Sequence, residues 1–524
     1  MFNFFKENFI INNYQSGFQS GRSTVTQLLE LYHQFCVAID NQKEIRVIFL
    51  DIKKAFDKVW HKGILHKLSL CGISGNLLEW FTSYLSERVQ RVVINGQYSD
   101  WAHINAGVPQ GSVLGPLLFI IYINDISSVI NHCNIRLFAD DTCLFIEVDN
   151  RADTATNIEN DLECIEKWAE SWLVTFASEK TKCLTISNKH DANLNPDIHF
   201  KGHVVEMVPA HTYLGILFTS NLSWNPHIAA VELKARKKLN MLLPLKFKLD
   251  RKTLEVMFTS FVSSTMFYGV EIWGGSFDSH LLKLEQIIVD GMRLVTGVTA
   301  RSNIANLYEE TSWQSFSDRK DDAMLIMMYK IKKGLAPNYL TEILPKENQE
   351  INRYNLRNNK NIRIPFTKSE TFKRSFIPTA VRLWNELCFK TQESISVSVF
   401  KSNLKSTNKI ANILFYYGQR WPAIHHARLR IGCSKLNYDL CYNLHLPDID
   451  PSCSCGVAHE NASHFFISCP NYTQIRTFLR NKLEPVCKFE LNIMLYGSSN
   501  LTTVENKLVF DAVHEFIVES QRFI

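Results

Sequence analysis

Hydrophobic positions follow two periodicities over the first 225 residues and one thereafter. Val25, Leu28, Leu29, Tyr32 and Phe35 recur every three or four positions, which predicts an amphipathic helix with Ser23 as its N-cap. Residues 45–51 are instead a β-branched run with few polar positions, as expected of a strand buried on both faces. A helix through Ile64, Leu65 and Leu68 follows. Residues 89–98 and 101–105 read as a hairpin turning at Asn95-Gly96, and the Gly/Pro-containing loop 106–112 leads into an apolar helix with Ser112 as cap. Two short apolar runs, 135–138 and 144–148, flank Ala139-Asp140-Asp141-Thr142 and read as hairpin strands. Ile158, Leu162, Ile165, Trp168 and Trp172 lie at helical spacing; 182–187 and 211–218 read as strands. Hairpins interleaved with helices predict an α+β fold rather than a doubly wound parallel sheet. From 226 to about 345 the pattern is helical, with single helices expected over 251–273 and 281–295.

Length and charge refine this. At 524 residues the chain exceeds one core. We expect four regions: 1–225, a helical 226–345, a basic 346–420 and a C-terminal 421–524. A net charge of +5 permits a polyanionic partner without requiring one. Lys234, Arg236, Lys237 and Lys238 form a basic run, ordinarily a solvated face. Between 346 and 376, Arg353, Arg357, Lys360, Arg363, Lys368, Lys373 and Arg374 interleave with Tyr354, Phe366, Phe372 and Phe376. Such a stretch suits single-stranded nucleic acid or serves as a basic linker. An odd count of 13 scattered cysteines and no basic-then-apolar leader point to reduced thiols, hence a nuclear or cytoplasmic protein. The longest apolar run, 117–123, is too short for a transmembrane segment, so no membrane is expected.

The candidate chemistry lies at strand ends. Asp51 ends the buried strand, where an unpaired carboxylate is costly unless it caps a helix or meets a cation. Asp140 and Asp141 sit side by side at a hairpin tip: a solvated turn, or a pair that stays ionised beside a cation. If the strands are neighbours, three carboxylates converge as ligands for two Mg²⁺ ions, the arrangement for nucleotidyl transfer. Arg22, near a helix start, is either a phosphate ligand or an exposed arginine. Gln110 and the small Gly111 suit a loop that a base pair approaches closely. Cys453, Cys455, His464 and Cys469, spaced C-x-C-x8-H-x4-C, form a set suited to a closed structural Zn²⁺ site. Cys433, Cys441 or His459 could substitute in it.

Gln15-Ser-Gly-Phe-x-x-Gly-Arg-Ser-Thr24, Leu50-Asp-x-x-Lys-Ala-Phe-Asp-Lys-Val-Trp60, Gly107-Val-Pro-Gln-Gly-Ser-Val-Leu-Gly-Pro-Leu-Leu-Phe119 and Phe138-Ala-Asp-Asp141, in this order, resemble the reverse transcriptases of non-LTR (LINE-type) retrotransposons, most of all Jockey-like animal elements. The resemblance covers about residues 13–220 and implies a right-hand polymerase of fingers, palm and thumb. It implies an RNA template, a DNA primer and dNTPs as partners. Asp51, Asp140 and Asp141 match the metal-holding carboxylates. Phe56 matches the ring that collides with a ribose 2′-hydroxyl, though a core phenylalanine is the ordinary reading of such a residue. Gln110 and Gly111 match the loop beside the template–nucleotide pair, and Lys180 the lysine that protonates pyrophosphate. Tyr213, Leu214 and Gly215 match the primer grip, and the basic run 234–238 falls on the thumb. Gln19 stands where relatives often carry arginine, and Ala177 where they often carry asparagine. Because the chain begins almost at the first motif, we expect an N-terminally truncated copy. An inactive remnant that only binds nucleic acid is therefore the alternative to a working polymerase. An RNA-dependent RNA polymerase, which would share this chemistry, is disfavoured by Phe56 and by the Ala139-Asp140-Asp141 turn.

Overall fold

A computed structural model describes residues 2–8, 10–189, 194–348, 360–405 and 412–524. The chain divides into two compact units. The first comprises Met1–His227, Glu271–Gly275 and Met324–Cys388; the second comprises Ile228–Val270, Ser276–Ala323 and Phe389–Ile524.

The first unit is α+β. Its five-stranded sheet is built from β1 (Glu44–Leu50), β2 (Asn134–Phe138), β3 (Asp141–Val148), β4 (Lys182–Ile186) and β5 (Glu206–Met207), in the order β5-β4-β1-β3-β2. β1 is antiparallel to both neighbours, and every residue of it is buried. That is why its sequence shows no alternation. One face packs on Ile158, Leu162 and Ile165 of the helix Arg151–Ser171, which Asn150 caps. On the other, Phe35 of the helix α1 (Thr24–Asp40) meets Phe145 edge-on at 6.2 Å. Ser23 caps α1 as expected, with Thr26 completing a capping box. Glu370–Lys373 packs near the end of α1, where Asp40 Oδ1 accepts hydrogen bonds from Lys368 N and Ser369 N at 2.8 and 2.6 Å.

Three expectations change. The 89–105 hairpin is a ribbon of two-residue pairings. Val93–Ile94 pairs with Gln97–Tyr98 around Asn95-Gly96, and Val89–Gln90 pairs with Ala102–His103. All eight paired residues are exposed, so no buried face extends the strands. The single helix expected over 251–273 is broken into Arg251–Met257, a π-helical turn Phe258–Ser263, Ser264–Met266 and Val270–Trp273. Gly269, at φ 61°, ends helical geometry there. In the basic stretch, Phe372 and Phe376 are buried and unavailable for stacking on bases, whereas Phe366 is exposed. Arg353, Tyr354 and Arg357 lie outside the described residues.

The second unit is helical. Asp278–Thr296 ends at Gly297, and Leu429 of Arg420–Ile431 shares one core with the buried apolar residues of Thr473–Leu483 and Thr503–Glu519. Buried Glu310 is compensated by two arginines, receiving Arg251 Nη1 and Arg430 Nη2, each at 2.7 Å. Among the described residues no helix is long and apolar enough to cross a membrane.

Candidate active site and metal centre

The β1–β3 register pairs Leu50 with Thr142, so antiparallel continuation brings Asp51 level with Asp141. Phe138 pairs with Asp141 across the two-residue turn Ala139-Asp140. All three carboxylates therefore gather at one end of the sheet on its central strands. Burial pushes Asp141 up to about 6, with the charges of Asp140 and Asp51 adding to it; Asp140 rises through burial and the charge of Asp51. The side chains of Asp51, Asp140 and Asp141 offer only oxygen, the donor type that hard divalent cations take.

Asp51 is followed by a segment that pairs with residues 175–177: Lys53 N donates to Thr175 O and Ala177 N to Asp51 O, both at 2.8 Å. The next turn, Ser178–Lys180, swings Lys180 Nζ to 2.9 Å from Asp51 Oδ2, and this raises the lysine. Phe56, in the 3-10 turn Ala55–Lys58, lies flat on Phe119 at 4.5 Å and edge-on to Phe18 at 6.1 Å. Its backbone is clasped to the glycine loop, since Val108 N donates to Phe56 O and Gly107 N to Val59 O, each at 2.8 Å. A Cβ on Gly107 would meet Asp57 O at 2.7 Å, which fixes glycine there. Gln110, exposed, donates from Nε2 to Asp57 Oδ1 at 2.8 Å, and Gly111 is open. Ser112 Oγ accepts from Gly115 N at 2.9 Å, but the N-cap of the helix Leu114–Tyr122 is Val113, one residue later than expected, because the Ser112 hydroxyl closes the turn that precedes the helix.

Two expected residues are engaged in ways the motifs do not foretell. Arg22 donates through Nη1 to Asn13 O and Gln15 O at 2.5 and 2.8 Å and lies 5.8 Å from the Tyr339 ring. Tyr213 is buried, and its hydroxyl accepts from Gln27 Nε2 at 2.8 Å. Burial, Cys143 and Asp141 hold that phenol well above its usual range. Leu214 and Gly215 form a tight turn, both at positive φ, between Ala210–Tyr213 and Ile216–Thr219. A leucine in that region is strained, as residues at functional turns often are. Gln27 gives no sequence signal beyond helix periodicity. Asp57 stands in a quoted motif, but its partner Gln110 is 53 positions away.

In the second unit, the ligand atoms of Cys453, Cys455, His464 and Cys469 all lie within 4.8 Å of one another. Cys453 and Cys469 Sγ are 3.6 Å apart, close to the ~3.8 Å edge that a tetrahedron of ~2.3 Å Zn–S bonds requires. Cys455 Sγ is 3.1 Å from His464 Nε2, and His464 Nδ1 lies 3.1 Å from Ser468 Oγ, which orients the ring. The structure gathers these four and leaves Cys433, Cys441 and His459 out of the group.

Residues 5–218 match the family described as reverse transcriptase (RNA-dependent DNA polymerase). A probable RNA-directed DNA polymerase from transposon X-element of Drosophila melanogaster is 30% identical over 297 residues, 55% of this chain and 32% of that protein. The RNA-directed DNA polymerase from mobile element jockey of the same fly is 26% identical over 344 residues, 64% of this chain and 37% of that protein. Among solved structures, apo telomerase from Candida tropicalis aligns at 11% identity and TM-score 0.35, over 73% of this chain and 54% of that one. The chain spans about a third of the length of these two curated relatives. The carboxylate turn, the clasped glycine loop and the strand-end Asp51 all fall inside the matched span, so residues 5–218 form a domain similar to reverse transcriptases, and the two fly relatives over it are polymerases of the X-element and jockey.

Proposed function

We propose that this chain is an RNA-directed DNA polymerase that extends a DNA primer on an RNA template with dNTPs. The observation that carries the reading is the register bringing Asp51 level with Asp141, beside Asp140 at the hairpin tip. Asp51, Asp140 and Asp141 would hold two Mg²⁺ ions, which when bound neutralise the triphosphate and activate the primer 3′-hydroxyl. The chain's own groups do the rest by position. Phe56, braced by Phe119 and Phe18, stands where a ribose 2′-hydroxyl would collide. Gln110, steadied by Asp57, lies beside the template–nucleotide pair, with Gly111 leaving room for it. Lys180, next to Asp51, carries an ammonium proton to give to the leaving pyrophosphate. The strained Leu214-Gly215 turn, anchored through buried Tyr213, grips the primer end. Arg22 acts at one remove, holding the backbone at Asn13 and Gln15. Cys453, Cys455, His464 and Cys469 would hold a structural Zn²⁺ in the second unit.

The test is extension of a DNA primer on an RNA template with dNTPs and Mg²⁺. Extension by the unmutated chain is expected, with a loss of at least ~10³-fold in Asp140→Asn, in line with the weight of preorganised charge in such sites. Absence of extension by the unmutated chain would sink the reading.

A further inference from the structure

Gln15 is the first residue of the first quoted motif, and the sequence gives it no task. It is fully buried. The segment carrying it runs beside β2 as an extra parallel strand: Leu137 N donates to Tyr14 O at 2.9 Å, Ser16 N donates to Leu137 O at 2.8 Å, and Gln15 bridges Leu137. Its side chain then turns to the carboxylate hairpin. Gln15 Oε1 accepts two hydrogen bonds, from Gly17 N at 2.7 Å and from Ala139 N at 3.0 Å. Among the described residues Nε2 is buried with no hydrogen-bond partner. A methyl or methylene would fill that space without leaving a polar hydrogen unmet, so the useful end of the amide is the oxygen.

What the oxygen holds is the residue preceding Asp140. Ala139 is buried at φ 54°, in the left-handed region that alanine avoids. Such a residue stays there only if its surroundings compel it. Three contacts converge on that task. Oε1 pins the Ala139 N–H. Gly17 lies so close that a Cβ would come within 2.4 Å of Ala139 N. Arg22 fixes the Gln15 backbone through its carbonyl.

We propose that Gln15 is a positioning residue: its carboxamide oxygen clamps Ala139 in the left-handed conformation and thereby presents Asp140 and Asp141 to Asp51. This rests on the carboxylates being the metal-holding set proposed above.

The experiment compares the full unmutated chain with Gln15→Leu, Gln15→Met, Gln15→Leu/Ala139→Gly and Asp140→Asn. Mn²⁺ affinity is read by electron paramagnetic resonance without substrate. The Mg²⁺ concentration for half-maximal primer extension and the melting temperature are measured alongside. Removing the acceptor should weaken Mn²⁺ binding and raise the half-maximal Mg²⁺ concentration at least ~10-fold, with primer–template affinity unchanged. Adding Ala139→Gly should restore much of both, because glycine adopts positive φ without strain. A purely structural glutamine would give no such rescue. Mn²⁺ binding that depends on Asp140 but is unchanged in folded Gln15→Leu or Gln15→Met overturns the positioning role and leaves the site reading intact. Loss of the fold in both variants overturns it in favour of a structural role. Mn²⁺ binding indifferent to Asp140→Asn removes the site reading, and this inference with it.

Discussion

Phe56 shows how a residue's role depends on what braces it. On its own it is an aromatic at the start of a turn, and half of that description holds, since it packs on Phe119 and Phe18. The packing is what would make it a selector. In the proposed site, a ring held on two sides would not swing away from a 2′-hydroxyl, and a ribonucleotide would meet the collision in full. Phe56→Val should therefore raise ribonucleotide incorporation relative to deoxyribonucleotide by about 10–100-fold, the discrimination one steric group supplies, while dNTP incorporation falls less. Paired kcat/KM values for rNTP and dNTP check this; an unchanged ratio would make Phe56 a core residue only. At this scale the sequence made placement legible: Asp51 follows the buried strand and Asp140-Asp141 sit at the hairpin tip, as the apolar runs around them foretell. It was silent where a residue acts through a partner far along the chain. Arg22 reads as a phosphate ligand or an exposed arginine, yet its guanidinium is taken by Asn13 O and Gln15 O. Gln15 reaches Ala139 across 124 positions, a contact no local pattern encodes.

Elements with one dominant period were readable. β1, the carboxylate hairpin and the helices Thr24–Asp40, Arg151–Ser171 and Asp278–Thr296 lie where periodicity puts them, because burial of one face or two decides them. Elements without a buried face were not, as in the exposed 89–103 ribbon. Nor were breaks set by tertiary fit: the π-helical turn at Phe258 abuts Gly291, where a Cβ would come within 2.3 Å of the ring. The Cys/His segment is a third kind. Cys453–Cys455 lies on a tight turn closed by Gly456 N to Cys453 O at 2.9 Å, and His464–Ser468 is a π-helical turn, neither of which hydrophobic pattern specifies. Ligand geometry does specify them, so metal should organise this element. The full chain purified without chelator should hold about one zinc per molecule, and Cys455→Ser should lose it. Stripping the metal should lower the melting temperature of the second unit by roughly 10 °C, since structural zinc contributes folding free energy directly. Metal analysis and calorimetry check this, and a chain that melts identically with and without chelator would refute it.

The two units differ in what acid does to them. In the second, His426 Nε2 lies 3.0 Å from Met494 O and must donate to it, which leaves Nδ1 to accept from His514 Nε2 at 3.2 Å. His426 is thus neutral in the fold, and His514 carries a proton on the Nε2 that faces it. Burial is the main cause that lowers them, His514 to about 4 and His426 well below the usual range; burial lowers His425 to about 4 too. A histidine with a folded pKa below its unfolded value near 6.5 contributes full stability above that value and loses it as pH falls toward the folded one. His514 alone should thus cost the second unit about 2 kcal/mol between pH 7.5 and pH 5. The raised carboxyls of Asp321 and Asp439 offset part of the total. In the first unit His33, lowered to about 4 by burial, acts in the same direction. There Asp141, raised to about 6, and Asp140 act in the opposite one, because a carboxyl with a raised folded pKa stabilises the fold as pH falls through it. Lowering the pH from 7.5 to 5 should accordingly weaken the second unit more than the first, separating two transitions in a calorimetric scan. His514→Gln, which keeps a side-chain N–H donor and does not titrate, should flatten the pH dependence of the lower transition. A lower transition that moves equally with pH in His514→Gln and the unmutated chain would show that the histidine pair does not govern it.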